Sequence, residues 1–241
     1  MTEEYKSFIA NNLNNIRARI RSASAGSDVI LLAATKTVDA EVINYAAREL
    51  GISYIGENKA QELAEKYPLL DKERLHIHFI GRLQSNKVRQ IVDKVEMIHS
   101  LDSISLAREI GKRSAAIGRV MPVLAEINVA REAEKGGVFP EDAEDFVRQA
   151  SEVAGIRVSG LMTMAPAGSS RSEYIEYFSR VRELFCRISA VRIPGVFMET
   201  LSMGMSESYT EALECGANLV RLGSAIFGKR PKPDNVTDKR V

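Results

Sequence analysis

Eight short apolar runs punctuate the chain, at 29–35, 53–57, 76–81, 96–101, 121–129, 157–164, 196–203 and 219–227. Runs such as VILLAAT, Val29 to Thr35, are apolar throughout, as a parallel strand covered on both faces requires. Helical patterns follow most of them: 40–50, 58–67, 85–94, 103–117, 140–153 with Pro140 in its first turn, 172–190, and 206–215 behind Ser206 as a cap. Tyr5, Phe8, Ile9, Leu13, Ile16 and Ile20 recur at helical spacing, so an extra N-terminal helix precedes the first strand. A helix, then a glycine, then a strand recurs around Gly51, Gly155 and Gly216, each glycine supplying a left-handed stop and a short connection. Eight strand-plus-helix units favour a closed (β/α)8 TIM barrel over an open doubly wound sheet, which usually has fewer strands. One α/β domain over 1–241 is expected, with a loose tail from Pro231 rich in Pro, Lys and Asp.

Lys+Arg at 33 against Asp+Glu at 32 leaves a formal net charge of +1, so no bulk attraction to nucleic acid or an anionic membrane is expected. Any charged ligand must be met locally. Cys186 and Cys215 lack C-x-x-C spacing and fall in helical segments, which suits buried thiols in a reducing compartment. The start, MTEEYKSFIA, turns polar too soon for a signal peptide, and no stretch is long enough to span a bilayer, so a cytoplasmic protein is expected. His76 and His78 alternate on one strand and His99 lies on the next, but no third ligand stands at a recognisable spacing; no metal site is expected.

A barrel carries its reactive groups at the C-terminal ends of its strands. Lys36 ends VILLAATK, where apolar walls disfavour the ammonium and make the amine a usable nucleophile toward an aldehyde; a lysine there could equally reach along the wall to water. Ser202-Met203-Gly204-Met205-Ser206 closes the seventh run, and Gly223-Ser224 follows Arg221 near the end of the eighth. Loops after strands seven and eight often form a phosphate cup, with backbone N–H groups facing the anion and Ser202 and Ser224 adding neutral donors; ordinary turns would look similar. Arg221 sits in the apolar LVRLGSAIF and must find an acceptor there. That acceptor is either a ring nitrogen, left unprotonated by a permanently charged donor, or a barrel carboxylate such as Glu199 or Glu126. Asn58 could hold a ring hydroxyl or cap the next helix.

The motifs ATK at 34–36, GEN at 56–58, HFIG-x-LQSNK at 78–87, GLMTMAP at 160–166, LSMGMS at 201–206 and VRLGSAIFG at 220–228 resemble those of the pyridoxal phosphate homeostasis proteins, the YggS/PROSC family, over nearly the whole chain. That family is similar to the N-terminal barrel of alanine racemase, the pyridoxal phosphate fold type III. The resemblance implies that pyridoxal 5′-phosphate forms a Schiff base with Lys36 and that Ser202, the Met203 amide, Gly223 and Ser224 bind its phosphate. It also implies that Arg221 faces the pyridine nitrogen and Asn58 lies close to the ring. Arg82 stands at a position that varies in the family and Lys59 follows Asn58 where arginine is frequent, and neither places the cofactor site in doubt. HFIG-x-LQSNK receives no role beyond a strand end and a helix start.

Two functions fit these expectations. One is a non-catalytic protein that stores the cofactor and delivers it transiently to apoenzymes; the other is an amino-acid racemase. Racemisation needs acid–base groups on both faces of a carbanion, and Lys36 supplies one. The racemase tyrosine comes from a second domain of a partner subunit, for which this chain leaves no length, so the handler is favoured, as a monomer or weak dimer. Lys135, in EKGG after the fifth run, is a flexible amine suited to a transient relay of the aldehyde, or simply a solvated loop lysine.

Overall fold

A computed structural model describes residues 1–228; the tail expected from Pro231 lies outside the described residues. Helix α1, Glu3–Ala23, opens with Thr2 accepting from the Tyr5 N–H and buries Ile9, Leu13, Ile16 and Ile20 on one stripe. Removing each such side chain from water is worth about 1.5–3 kcal/mol, enough to fix the helix to the barrel wall.

The strands are β1 Ile30–Ala34, β2 Tyr54–Glu57, β3 His76–Phe79, β4 Met97–Leu101, β5 Met121–Ile127, β6 Ile156–Thr163, β7 Val196–Ser202 and β8 Leu219–Leu222. They close in sequence order into one parallel barrel. The helices after α1 are α2 Ala40–Leu50, α3 Ala60–Lys66, α4 Val88–Ile91, α5 Ile104–Ala116, α6 Ala143–Ser151, α7 Arg171–Val191, α8 Tyr209–Glu214 and α9 Ser224–Phe227. Strand β1 pairs with β2 at Ala34↔Gly56 and with β8 at Leu32↔Arg221. The ends of β1, β2 and β8 therefore share one rim of the barrel.

Several boundaries differ from the sequence reading. The run 219–227 serves two elements, because the chain turns at Gly223 and winds into α9, which buries Ile226. Pro140 lies in a turn ahead of α6, which starts at Ala143. Helix α8 starts at Tyr209 with Ser208 at its N-cap, so Ser206 is not the cap. Two helical patterns are partly 3-10: Tyr67–Leu69 extends α3, and Ser85–Lys87 leads into α4. Cys186 is exposed and Cys215 half-buried, both free. The inward stripe of α7 uses Phe178, Val181, Phe185 and Ile188, which turns Cys186 away from the core. Among the described residues no helix is long and apolar enough to cross a membrane, and no cluster of three or more His, Cys, Asp or Glu is placed to hold a metal ion.

Candidate functional site

Lys36 leaves the barrel two residues beyond the end of β1 and lines a cavity of about 230 Å³ at the C-terminal mouth. Its backbone is held on both sides. Thr37 adopts a left-handed conformation, φ 62°, unusual for a β-branched residue, and its N–H donates to the Glu62 carboxylate. The Lys66 ammonium donates to the Thr35 carbonyl (2.8 Å), to Glu57 Oε1 (3.0 Å) and to Glu62 Oε1 (2.6 Å). Thr35 Oγ1 donates to the same Glu57 oxygen at 2.7 Å. Glu57 is fully buried, and burial raises its pKa against the pull of Lys66 and Thr35. Burial also pushes Glu62 up, but bonds from Lys66 and Thr37 outweigh it and leave that carboxyl below its usual range. Sequence reasoning missed this seat. Its readable traces were the i,i+4 pair Glu62–Lys66 and a charged residue, Glu57, at the end of an apolar strand.

Arg221 lines the same cavity while only 4% exposed. Its guanidinium donates to the Ser202 carbonyl (2.9 Å), to Ser202 Oγ, and to the Thr163 carbonyl (2.8 Å). Neither expected carboxylate pairs with it, since Glu199 faces Arg157 at 3.9 Å and Glu126 forms no ion pair among the described residues. Burial lowers the Arg221 pKa to about 10, with Glu126 opposing, so the group stays charged at neutral pH. The hydrogen bonds continue inward. His99 Nδ1 meets Ser202 Oγ at 3.1 Å, and His99 Nε2 meets His78 Nδ1 at 3.0 Å. Burial, then His76, lowers His78 to about 4; burial, then His78 and Arg221, holds His99 well below its ordinary value. Both rings are therefore neutral at neutral pH.

This arrangement decides where the expected anion donors go. Ser202 is fully buried and its hydroxyl is engaged by Arg221 and His99; the Met203 amide donates to the Leu219 carbonyl at 3.2 Å. Neither lines the cavity. The β7–β8 pairing carries the chain through these two residues before it turns. The turn comes at Gly204, φ 89°, where a Cβ would stand 2.6 Å from the Ala212 methyl and 2.9 Å from Tyr209 Cα. Beyond it, Met205 to Ser208 reach the cavity. Ser206 Oγ accepts from the Gly223 N–H at 3.4 Å and the Ala225 N–H at 3.2 Å. Two backbone donors of the β8–α9 turn thus converge on one oxygen offered by the facing turn, the chemistry of an oxyanion seat.

The structure brings Lys36, Arg221, Gly223 and Ser224 around one cavity, adds Ser206, and leaves Ser202 and the Met203 amide out. Asn58 lines a neighbouring cavity; helix α3 starts after Lys59, so Asn58 does not cap it, and its Oδ1 is buried without a hydrogen-bond partner among the described residues. Lys135 is exposed, ion-paired with Glu132, and away from the cavity lining. Glu126, 5% exposed at the end of β5, is raised to about 7 by burial and by Asp102, against Arg221, Arg82 and Lys135.

The family model of the alanine racemase N-terminal domain matches residues 7–231. A pyridoxal phosphate homeostasis protein of Aquifex aeolicus is 41% identical over 219 residues, 90% of this chain and 95% of the relative. The chain belongs to the pyridoxal phosphate homeostasis protein family. The Escherichia coli member of the family is 32% identical over 230 residues, 92% of this chain and 97% of its own. PipY of Synechococcus elongatus, solved with pyridoxal phosphate bound, superposes with a TM-score of 0.79 at 30% identity, covering 91% of this chain and all of PipY. An alanine racemase of Clostridium difficile shares the barrel alone, with a TM-score of 0.67 at 15% identity.

Proposed function

We propose that this chain binds pyridoxal 5′-phosphate covalently through Lys36 and serves its homeostasis in the cell, storing the cofactor and handing it to apoenzymes. The observation that carries the reading is a single cavity lined by a strand-end lysine and by two turns whose backbone donors converge on one oxygen. The Ser206 hydroxyl stands in that seat as a phosphate oxygen would, so the residues fit the group. The names of the family's relatives and the pyridoxal phosphate in PipY support the same ligand.

Pyridoxal 5′-phosphate supplies an aldehyde for an amine and a dianion for a cup of donors. The chain supplies the rest. Lys36 presents its amine from a backbone fixed at Thr35 and Thr37. Ser224 and the amides of the β8–α9 turn would hold the phosphate once the Ser206 hydroxyl yields its place on those amides to a phosphate oxygen. Arg221, charged and tied to Ser202 and Thr163, lines the cavity wall and would donate to the ring nitrogen, which would leave that nitrogen unprotonated and weaken the ring as an electron sink. A handler needs a firm grip and little chemistry, and a ring so held gives that.

The test is to reduce the loaded protein with borohydride and locate the label by mass spectrometry. It should fall on Lys36, and Lys36→Ala should lose both the label and the visible absorbance. The racemase reading keeps one foothold, because Tyr174 also lines the cavity and offers a second acid–base group. Substantial amino-acid racemisation, abolished by Tyr174→Phe, would replace the handler with an enzyme.

A further inference from the structure

We propose that the barrel mouth carries a second anion-binding pocket, between the β2–α3 and β3–α4 connections, that takes a small phosphate monoester. The HFIG-x-LQSNK segment builds it. A cavity of about 360 Å³ is lined there by Lys59, Arg82 and Lys87, over a floor that includes the buried side chains of Phe79 and Leu83. None of the three cationic side chains forms an ion pair or a hydrogen bond among the described residues, although Lys59 is felt by Glu62, which is itself paired with Lys66. Three like charges around one cavity repel one another, and a dianion among them removes that cost and adds charge-assisted hydrogen bonds. Arg82 is felt by Glu126, but that carboxylate is buried in the barrel and does not pair with it.

A second observation is the half-buried carboxamide of Asn58 on the same cavity. Among the described residues it makes no hydrogen bond, its Oδ1, shut away from solvent, included. What the carboxamide can offer an anion is its Nδ2, a donor not used among the described residues, whereas Oδ1 can only accept and gives a phosphate oxygen nothing. The pocket wall also depends on a close approach of the two connections: a Cβ on Gly81 would run into the Asn58 carbonyl. The glycine of HFIG is thereby explained by packing.

The pocket adjoins the Lys36 cavity without sharing a lining residue with it. Ala34 pairs with Gly56 and Gly56 with His78, so Lys36, Asn58 and Ile80 leave three adjacent strands at one level of the mouth. The size of the cavity and its apolar floor favour a small organic phosphate over a polyanion, and the net charge of +1 gives no long-range attraction to a polyanion.

The inference does not depend on chemistry at Lys36, and phenyl phosphate, which has no aldehyde, tests it separately. In a titration of ¹⁵N-labelled full-length protein, amide signals at 58–61 and 79–87 should shift and saturate with phenyl phosphate, and with inorganic phosphate more weakly. Sodium chloride at matched ionic strength should not reproduce the shifts. Arg82→Ala combined with Lys87→Ala should weaken this binding at least ten-fold while leaving Tm, circular dichroism and borohydride labelling at Lys36 unchanged. Shifts confined to 223–225, shifts that chloride reproduces, or binding equal in the double variant would overturn the proposal.

Discussion

At the scale of single residues, the position of Lys36 is set by groups that never touch the cavity. Lys66 is the only cation that forms an ion pair with the buried carboxylate of Glu57 among the described residues, and it also holds the Thr35 carbonyl. Replacing it by methionine leaves an unpaired buried charge, which costs about 3–5 kcal/mol. Lys66→Met should therefore be strongly destabilised in urea unfolding and should load Lys36 poorly. Adding Glu57→Gln should recover most of the stability but less of the loading, because the tie to Thr35 stays broken. Equal recovery of both would show that the lysine acts on stability alone. The residues singled out in the sequence that line the cavity, Lys36, Arg221, Gly223 and Ser224, are charged or turn-forming residues at the ends of apolar runs, where a barrel's topology fixes their side of the fold. Glu57 and Ser206 were illegible in their roles for the opposite reason. Each acts through partners on another segment, Lys66 for the first and the 223–225 turn for the second, and no spacing announces such a meeting.

At the scale of elements, α1 reaches the site through α9. Tyr5 donates from its hydroxyl to the Phe227 carbonyl and Asn12 from its amide to the Ile226 carbonyl, both at 3.0 Å. These bonds satisfy the C-terminal carbonyls of a one-turn helix, and its other end carries the donors that converge on Ser206. Each bond is worth about 1 kcal/mol net. Tyr5→Phe with Asn12→Ala should lower stability by about 2 kcal/mol if the two bonds add. It should also weaken phosphate-dependent binding, read as the loss of preference for pyridoxal 5′-phosphate over pyridoxal. A stability loss with that preference intact would confine α1 to a structural role. The sequence pattern showed α1 plainly, through four turns of helical spacing, but merged β8 and α9 into one run at 219–227. A short apolar stretch has too few residues for its period to distinguish a strand from a buried helical turn, and here the glycine at 223 was the one local sign of the break.

For the whole molecule, the barrel interior is where sequence and structure part furthest. Eight strands in order were legible because each run is apolar and each glycine stop is local. The interior chain from Arg221 through Ser202 and His99 to His78 was not, since it joins four positions spread over 144 residues. A barrel with such an interior should have a stability that answers to pH from two sides. Glu126 is raised from 4.5 to about 7, so the folded state holds its proton more firmly than the unfolded state. The stability it contributes is complete below about pH 4.5 and is lost as pH rises through 7. His78 is lowered from 6.5 to about 4, and its contribution runs the other way: present above about pH 6.5 and lost as pH falls through 4. Each is worth on the order of 3 kcal/mol across its window, and between about pH 4.5 and 6.5 the two slopes oppose each other. Wild-type protein should therefore show a flatter stability profile there than either single variant. Glu126→Gln should gain stability relative to wild type on going from pH 4.5 to 7, because it no longer carries a carboxyl that must ionise in a buried place beside Asp102. His78→Gln should remove the opposing slope and gain relative to wild type as the pH falls from 6.5 toward 4. Urea unfolding at pH 4.5, 5.5, 6.5 and 7 reads both differences directly. A stability difference between wild type and Glu126→Gln that stays flat across that range would mean that the carboxyl titrates alike in the folded and unfolded chains, and that the barrel mouth is wetter than its packing implies.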